Sequence, residues 1–268
     1  MSKNKTAQMD PAVGIVRSPN NNRQYWYEDF HLAPGINADV GTTYANADAT
    51  NAANLTITTA RVIANPAFEI LGTNAVSANS VPHANGGCAI TTAGASADQI
   101  YVLPHQDAGR GFNTTEWDSD EEIAVEFAFS LSSVAACDLF VGFLPTGGGT
   151  TTVPATFEPG DAADGAIIFF ASDTNSGRFQ LVVNYGSSTE TLSLGSAYEV
   201  AASTEYVVQV YLDAARKAHF FIDGQDVGVS ENAVDSNQNL LPTIGIEATA
   251  AAAKTAVVRY IALGKNKA

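Results

Sequence analysis

From Ile123 to Leu131, large apolar side chains alternate with small or polar ones. Ile123, Val125, Phe127, Phe129 and Leu131 share one parity, and Ala124, Glu126, Ala128 and Ser130 share the other. A period of two sends successive side chains to opposite faces of an extended chain, so the segment predicts a strand whose bulky face another layer must cover. Leu55, Ile57, Thr59, Arg61 and Ile63 alternate more weakly with Thr56, Thr58 and Ala60 and predict a less buried strand. Residues 139–144 and 165–170 are apolar runs bounded by Pro, Gly and Asp, as expected of central strands covered on both faces.

The second half of the chain is rich in hairpin signals. Residues 179–184 and 189–194 are joined by Tyr185-Gly186-Ser187-Ser188, and residues 206–212 turn through 213–217 into 219–222. Asp223-Gly224 then supplies two residues that tolerate positive φ, which a two-residue hairpin turn requires, and returns the chain along 226–229. Closing strands are predicted around 243–248 and 257–263. Helical periodicity is almost absent, and the Ala-rich stretch 248–253 is too short to nucleate a helix by itself, so it reads as a compact turn. Many short strands punctuated by Gly, Pro and Asn predict an all-β fold of two antiparallel sheets. No repeat of fixed period appears, which argues against a propeller or solenoid.

Composition narrows the function classes. Of 268 residues 46% are hydrophobic, enough for a sizeable core, and only 15% are charged, yet the net charge is −15. A field of that sign repels phosphate, so nucleic acid is not an expected partner. No apolar run approaches the roughly 20 residues of a membrane span, and the start Met1-Ser-Lys-Asn-Lys-Thr-Ala-Gln leads into no apolar core of a secretory signal. Cys88 and Cys137 have no nearby Cys or His partner and are expected to be buried small hydrophobes. Charge is also unevenly placed: Lys3, Lys5, Arg17 and Arg23 against Asp10 give residues 1–24 a net +3, which leaves −18 on residues 25–268. The polar, Asn-rich first 24 residues therefore read as an arm attached to one folded domain.

The order of the pieces resembles a known superfamily. Tyr27-Glu28-Asp29-Phe30, the segment Gly86-Gly87-Cys88-Ala89-Ile90-Thr91-Thr92, the strand at 123–131 followed by Leu139-Phe140-Val141-Gly142-Phe143, and Asp164-Gly165-Ala166-Ile167-Ile168-Phe169 are similar to the concanavalin A-like lectins and glucanases. The strongest likeness is Tyr211-Leu212-Asp213 leading to His219-Phe220-Phe221-Ile222-Asp223-Gly224-Gln225, a pairing met in laminin-G-like jelly rolls. Leu241-Pro242-Thr243-Ile244-Gly245-Ile246 and Val257-Val258-Arg259-Tyr260-Ile261 complete it, so the resemblance spans about residues 25–264. It implies a two-sheet antiparallel jelly-roll sandwich, with the first and last strands in one sheet, and it fixes no activity. With its basic arm, its high Ala, Gly and Thr content and no attached catalytic module, the chain further resembles virion structural proteins of tailed bacteriophages. That resemblance implies a non-enzymatic capsid decoration protein, made in the host cytoplasm without a signal peptide and sited on the outer capsid surface. Its partners would be the major capsid protein or other virion subunits, including further copies of the same chain. Docking would fall to one face of the domain and to Lys3, Lys5, Met9, Val13, Ile15, Val16, Arg17 and Arg23 of the arm.

Two alternatives carry different chemistry. Retaining glucanases of the superfamily align catalytic carboxylates along one strand, because the nucleophile and the acid must stand about 5 to 5.5 Å apart on one face. Glu116, Asp118 and Asp120 alternate suitably, but they precede the apolar strand, on which Glu126 is the one outward carboxylate, so the cluster Glu116–Glu122 is expected to form a turn and no catalytic residue is assigned. A lectin-like adhesion component would bind glycan through flat aromatic faces, and Tyr25, Trp26, Tyr27 and Trp117 are the candidates. His31, His83, His105 and His219 share no zinc spacing. Asp161, Asp164, Asp173 and Asn175 sit in ordinary turn sequences rather than a calcium loop, and no metal or cofactor is expected. Gly147-Gly148-Gly149-Thr150 lacks the lysine of a phosphate loop and is a plain flexible connection.

Overall fold

The computed structural model describes residues 23–30, 33–36, 68–75, 77–104, 117–145 and 164–266. The weakly alternating segment at 55–63, the arm up to residue 22 and the glycine run at 147–149 lie outside the described residues.

Two sheets form a sandwich. The first contains β1 (Arg23–Glu28), β4 (Ser80–Pro82), β5 (Cys88–Thr91), β8 (Ile123–Leu131), β13 (Glu205–Leu212), β14 (Lys217–Ile222), β15 (Gln225–Ala233) and β17 (Thr255–Asn266). Its order is β15-β14-β13-β8-β17-β5-β4, with β1 also paired to β17. The second contains β2 (Gly35–Ile36), β3 (Phe68–Leu71), β6 (Asp98–Pro104), β7 (Trp117–Asp118), β9 (Cys137–Pro145), β10 (Gly165–Ala171), β11 (Gln180–Tyr185), β12 (Ser188–Ser193) and β16 (Asn239–Ala248). These run in the order β12-β11-β10-β9-β16-β6-β3-β2, with β7 added to β16. Pairing is antiparallel throughout the described strands except between β2 and β3.

Alternation along β8 sets the core. Its five bulky residues are fully buried between the sheets, with Phe127 facing Val208 on one neighbouring strand and Ile261 on the other. Strands β9 and β10 are buried on both faces, as their unbroken apolar runs require. Leu139, Val141 and Phe143 join the central core, whereas Phe140, Ile167, Phe169 and Val182 form a second buried cluster on the outer face of the second sheet. Both cysteines are buried free thiols.

The turns follow local chemistry. Ile222 pairs with Gln225 across Asp223 (φ 51°) and Gly224 (φ 77°), the positive-φ pair of a two-residue hairpin. Tyr185 pairs with Ser188 across a second two-residue turn, in which Gly186 takes the positive φ (55°). At the side of the sandwich the edges β12 and β15 are clamped by Glu190. Its Oε1 accepts from the Glu231 amide at 2.7 Å, and Oε2 accepts from the amide and side chain of Asn232 at 2.8 and 3.0 Å.

Both ends of the domain meet. Strand β1 pairs antiparallel with β17, placing Tyr27 opposite Ala262 and Arg23 opposite Asn266. The sheet thus starts at Arg23 rather than at Tyr25, because the ladder to β17 takes in the backbone of Arg23 and Gln24. Glu126 lies on the outer face of the first sheet, as its parity requires, and is only 4% exposed there.

Candidate functional site

The outer face of the first sheet is where β8, β13, β14, β17 and β1 bring chemistry together. Register places Tyr27, Ala262, Glu126, Gln209 and Phe221 in one row across five strands. The next row holds Gly264, Ala124, Tyr211 and His219. Side chains directly opposite one another in a sheet share a face and touch. Ala124, Ala262 and Gly264 keep the middle of this face low, with aromatic side chains on either flank. Tyr260 enters it because the register of β17 shifts between Val258 and Tyr260. That bulge inserts Arg259 and Tyr260 between the inward residues Val258 and Ile261, which re-aims the tyrosine.

Polar groups sit beneath the aromatic rims. The Tyr260 hydroxyl donates to Glu126 Oε1 at 2.8 Å. Burial pushes the Glu126 carboxyl above its ordinary range, and the Tyr260 hydrogen bond only partly offsets this. Beside it Gln209 is 4% exposed, and its Nε2 has no hydrogen-bond partner among the described residues. The Tyr27 and Tyr260 rings are 5.4 Å apart between centroids and tilted by 32°. Tyr27 is 48% exposed. Its phenol is raised by burial and then by the charges of Asp29, Glu126 and Glu28, so the surroundings of this ring are anionic. At the far flank Tyr211 lies 5.4 Å from the His219 ring, and His219 Nε2 is 3.0 Å from Asp213 Oδ2. Burial alone would raise the Asp213 carboxyl, but hydrogen bonds from His219 and from the Lys217 and Ala215 amides hold it below its ordinary range.

The outer face of the second sheet is built differently. Tyr101 donates to Gln99 Oε1 at 2.5 Å, and Gln99 Nε2 donates to Glu247 Oε2 at 2.8 Å. Gly245 makes room for this arrangement, since a Cβ there would meet Phe140 Cζ at 2.2 Å and Tyr101 Cδ1 at 2.6 Å. Tyr101 and Gln99 are both buried, and burial pushes the Tyr101 phenol far above its ordinary value.

Several sequence candidates are separated from any shared site. Trp117 is 1% exposed within the central core, so it offers no face to a sugar and is withdrawn as a glycan contact. Lys265 lies 6.0 Å from its ring centroid. Tyr25 and Trp26 pair through their backbones with Gly264 and Leu263. Of the arm candidates Arg23 lies in β1, and Lys3, Lys5, Met9, Val13, Ile15, Val16 and Arg17 lie outside the described residues. Asp118 accepts from the Asp120 amide at 2.9 Å. Asp120 in turn accepts from the Asn237 amide at 3.0 Å and from Arg216 at 3.2 Å. These two carboxylates hold a turn and do not line a cleft; Glu116 lies outside the described residues. Asp164 accepts from the Gly186 amide at 2.7 Å, and Asp173 accepts from the Thr174 hydroxyl. Among the described residues no group of three or more His, Cys, Asp or Glu could hold a metal ion.

Gln209, Tyr211 and Tyr260 are site residues that sequence reasoning missed. Parity along 205–212 was a sufficient signal for the first two, opposite the buried Val208 and Val210. The bulge that turns Tyr260 outward leaves no mark in the hydrophobic pattern.

No family model matches the sequence, and no curated protein matches it. The fold does match solved structures. A protein of unknown function from Shewanella oneidensis MR-1 aligns with a TM-score of 0.55 and 14% identity over 97% of this chain and 95% of its own. A β-glucanase of Bacillus licheniformis aligns with a TM-score of 0.51 and 10% identity, over 74% of this chain and 92% of its own. Alginate lyase A1-II′, of polysaccharide lyase family 7, gives 0.51 and 9% over 72% and 86%. The chain is therefore an all-β jelly-roll sandwich, similar in fold to these glucanase and lyase structures. At these identities the likeness extends to the fold alone.

Proposed function

We propose that the protein is a non-enzymatic structural component of a bacteriophage virion that decorates the outside of the head. The observation that supports it is the state of Glu126. As the one outward carboxyl of β8 it is buried and hydrogen-bonded to Tyr260, while Asp118 and Asp120 are engaged in a turn. A retaining glycosidase needs two carboxyl groups about 5 to 5.5 Å apart and facing substrate. The virion assignment rests on the resemblance in sequence and on charge: a +3 arm precedes a −18 body. The arm leads into β1 at the end of the domain where β17 also finishes. It is drawn to an acidic groove on the major capsid protein, and the body turned to solvent keeps particles apart by like-charge repulsion.

Co-sedimentation with assembled capsids tests this, using the full chain and a chain lacking residues 2–22. The full chain should co-sediment in a salt-sensitive manner, since exposed charges are screened beyond about 8 Å at physiological ionic strength, and the truncated chain should remain in solution. Undiminished capsid occupancy by the truncated chain would remove the arm's role. Retention on polysaccharide without capsid binding would replace the reading with a lectin-like adhesion component. Release of reducing ends from β-glucan, abolished by Glu116→Gln or Asp118→Asn, would replace it with a glucanase.

A further inference from the structure

We infer that the turn between β4 and β5 is a proton-operated latch: His83 ties this edge hairpin to Arg259 of β17 only while its ring is neutral, and acidification lets the hairpin go. Arg259 Nη1 lies 2.9 Å from His83 Nδ1. A guanidinium has protons to give and no acceptor, so Nδ1 must be the accepting atom. The Asn85 amide donates to the same nitrogen at 3.3 Å. Two donors converging on Nδ1 fix the neutral tautomer whose proton is on Nε2. A proton added at Nδ1 removes that acceptor and sets a second positive charge against Arg259, which does not give up its own.

The backbone shows why this contact can govern the hairpin. Among the described residues β4 is the outermost strand of the first sheet, and it meets β5 at three positions, Ser80 with Ile90, Val81 with Ala89 and Pro82 with Cys88. Of its three side chains only that of Ser80 is buried, so little apolar burial holds the strand. The turn is closed by the His83 amide on the Gly87 carbonyl and the Gly86 amide on the His83 carbonyl, both at 2.9 Å. Gly87 rests against the bulge of β17, where a Cβ would collide with the Val258 carbonyl. From that bulge Arg259 reaches over the turn, its Nη1 also donating to the Gly86 carbonyl at 2.9 Å and its Nε to Glu205 Oε2 at 3.3 Å. The Arg259 side chain is 24% exposed, so water and salt screen it only in part.

Charge around the ring is sparse. In residues 77–92 the one other titratable side chain is Cys88, a buried thiol. β17 brings Arg259, β13 brings Glu205 on the guanidinium, and β1 ends in Glu28, opposite Ile261, with Asp29 after it. Asp98 and Lys254 stand at the other end of β5, beside Ala95 and Thr92. His219 has the opposite kind of partner, Asp213 at 3.0 Å, so a proton there completes an ion pair. Histidine is the side chain whose charge ordinarily changes between about pH 5 and 8. The open hairpin can bind a proton that the latched one excludes, so falling pH favours opening. Opening bares the backbone edge of β5, a template on which a further strand can pair.

Hydrogen exchange of the full chain, read by NMR at pH 7.5 and pH 5.5 and corrected for intrinsic rates, tests the latch. Protection of the His83 and Gly86 amides should fall about tenfold or more at the lower pH, while β8 and β13 keep theirs. The ring-nitrogen shifts of His83 at pH 7.5 should report the tautomer protonated on Nε2. His83→Asn, whose amide oxygen can accept where Nδ1 does and takes up no proton in this range, should keep the protection at both pH values. Arg259→Met should show the acidic behaviour already at pH 7.5. Equal protection at the two pH values, a proton on Nδ1 at pH 7.5, a fall shared by β8, or a pH-dependent His83→Asn would each overturn the inference. The exchange of the parent protein decides the matter even where a variant fails to fold.

Discussion

Phe127→Ala gives the sharpest test of the sandwich. Phe127 lies at the middle of β8, the strand between β13 and β17, and is fully buried. Its cross-strand neighbours Val208 and Ile261 are fully buried too, and both are held in ladders that limit collapse into the vacated space. Truncating such a ring removes its transfer free energy and leaves a cavity, at a cost of about 3 to 5 kcal/mol. For a chain of this size each kcal/mol shifts Tm by about 2 to 4 °C, so the variant should melt about 6 to 20 °C below the parent. Circular dichroism melts and urea titrations read the same quantity, and an unchanged urea slope would show that the denatured state is unaltered. A shift below about 2 °C would mean that Phe127 does not face the second sheet, and the alternation argument for β8 would fall with it.

Three other outcomes follow from the same geometry. Burial raises the folded-state pKa of Glu126 above its unfolded value, so ionising it opposes folding at neutral pH and that penalty vanishes below the ordinary glutamate pKa of 4.5. Glu126→Gln should therefore be at least as stable as the parent at pH 8, with the difference shrinking as pH falls towards 4; an advantage that grew on acidification would contradict the assigned environment. Glu190→Ala removes three hydrogen bonds between the edges β12 and β15. It should cost about 1 to 3 kcal/mol and speed amide exchange at Glu231 and Asn232, and unchanged exchange there would show that no clamp exists. Burial, with the charge of Asp138, pushes the Cys137 thiol up to about 12, and Cys88 is raised likewise by burial and Glu28. Neither thiol should react with a disulfide reagent at pH 8 in the native protein, and both should react in urea; rapid native labelling would place one at the surface.

What the sequence determined by itself is local in origin. Alternation along 123–131 and the unbroken runs at 139–144 and 165–170 name the buried strands, because a period of two and the absence of polar positions are direct records of which faces meet water. Asp223-Gly224 marks its turn because few residues tolerate positive φ. Even the pairing of the first and last strands was legible, through resemblance to a superfamily rather than through any local pattern. The tertiary structure decided what each outward side chain meets. Parity puts Glu126 outside the sandwich, but only the packing of β17 and its bulge lays Tyr260 over it and buries the carboxyl. Trp117 stands in a run of acids and reads as a surface residue, yet β7 joins the edge of β16 and carries its ring into the core. The buried pair of Glu126 and Gln209 is likewise brought together by the register of β8 and β13. Local periodicity fixes which face a residue takes. Its partners across the sheet are set by the free energy of the whole pairing, which no short stretch of sequence contains.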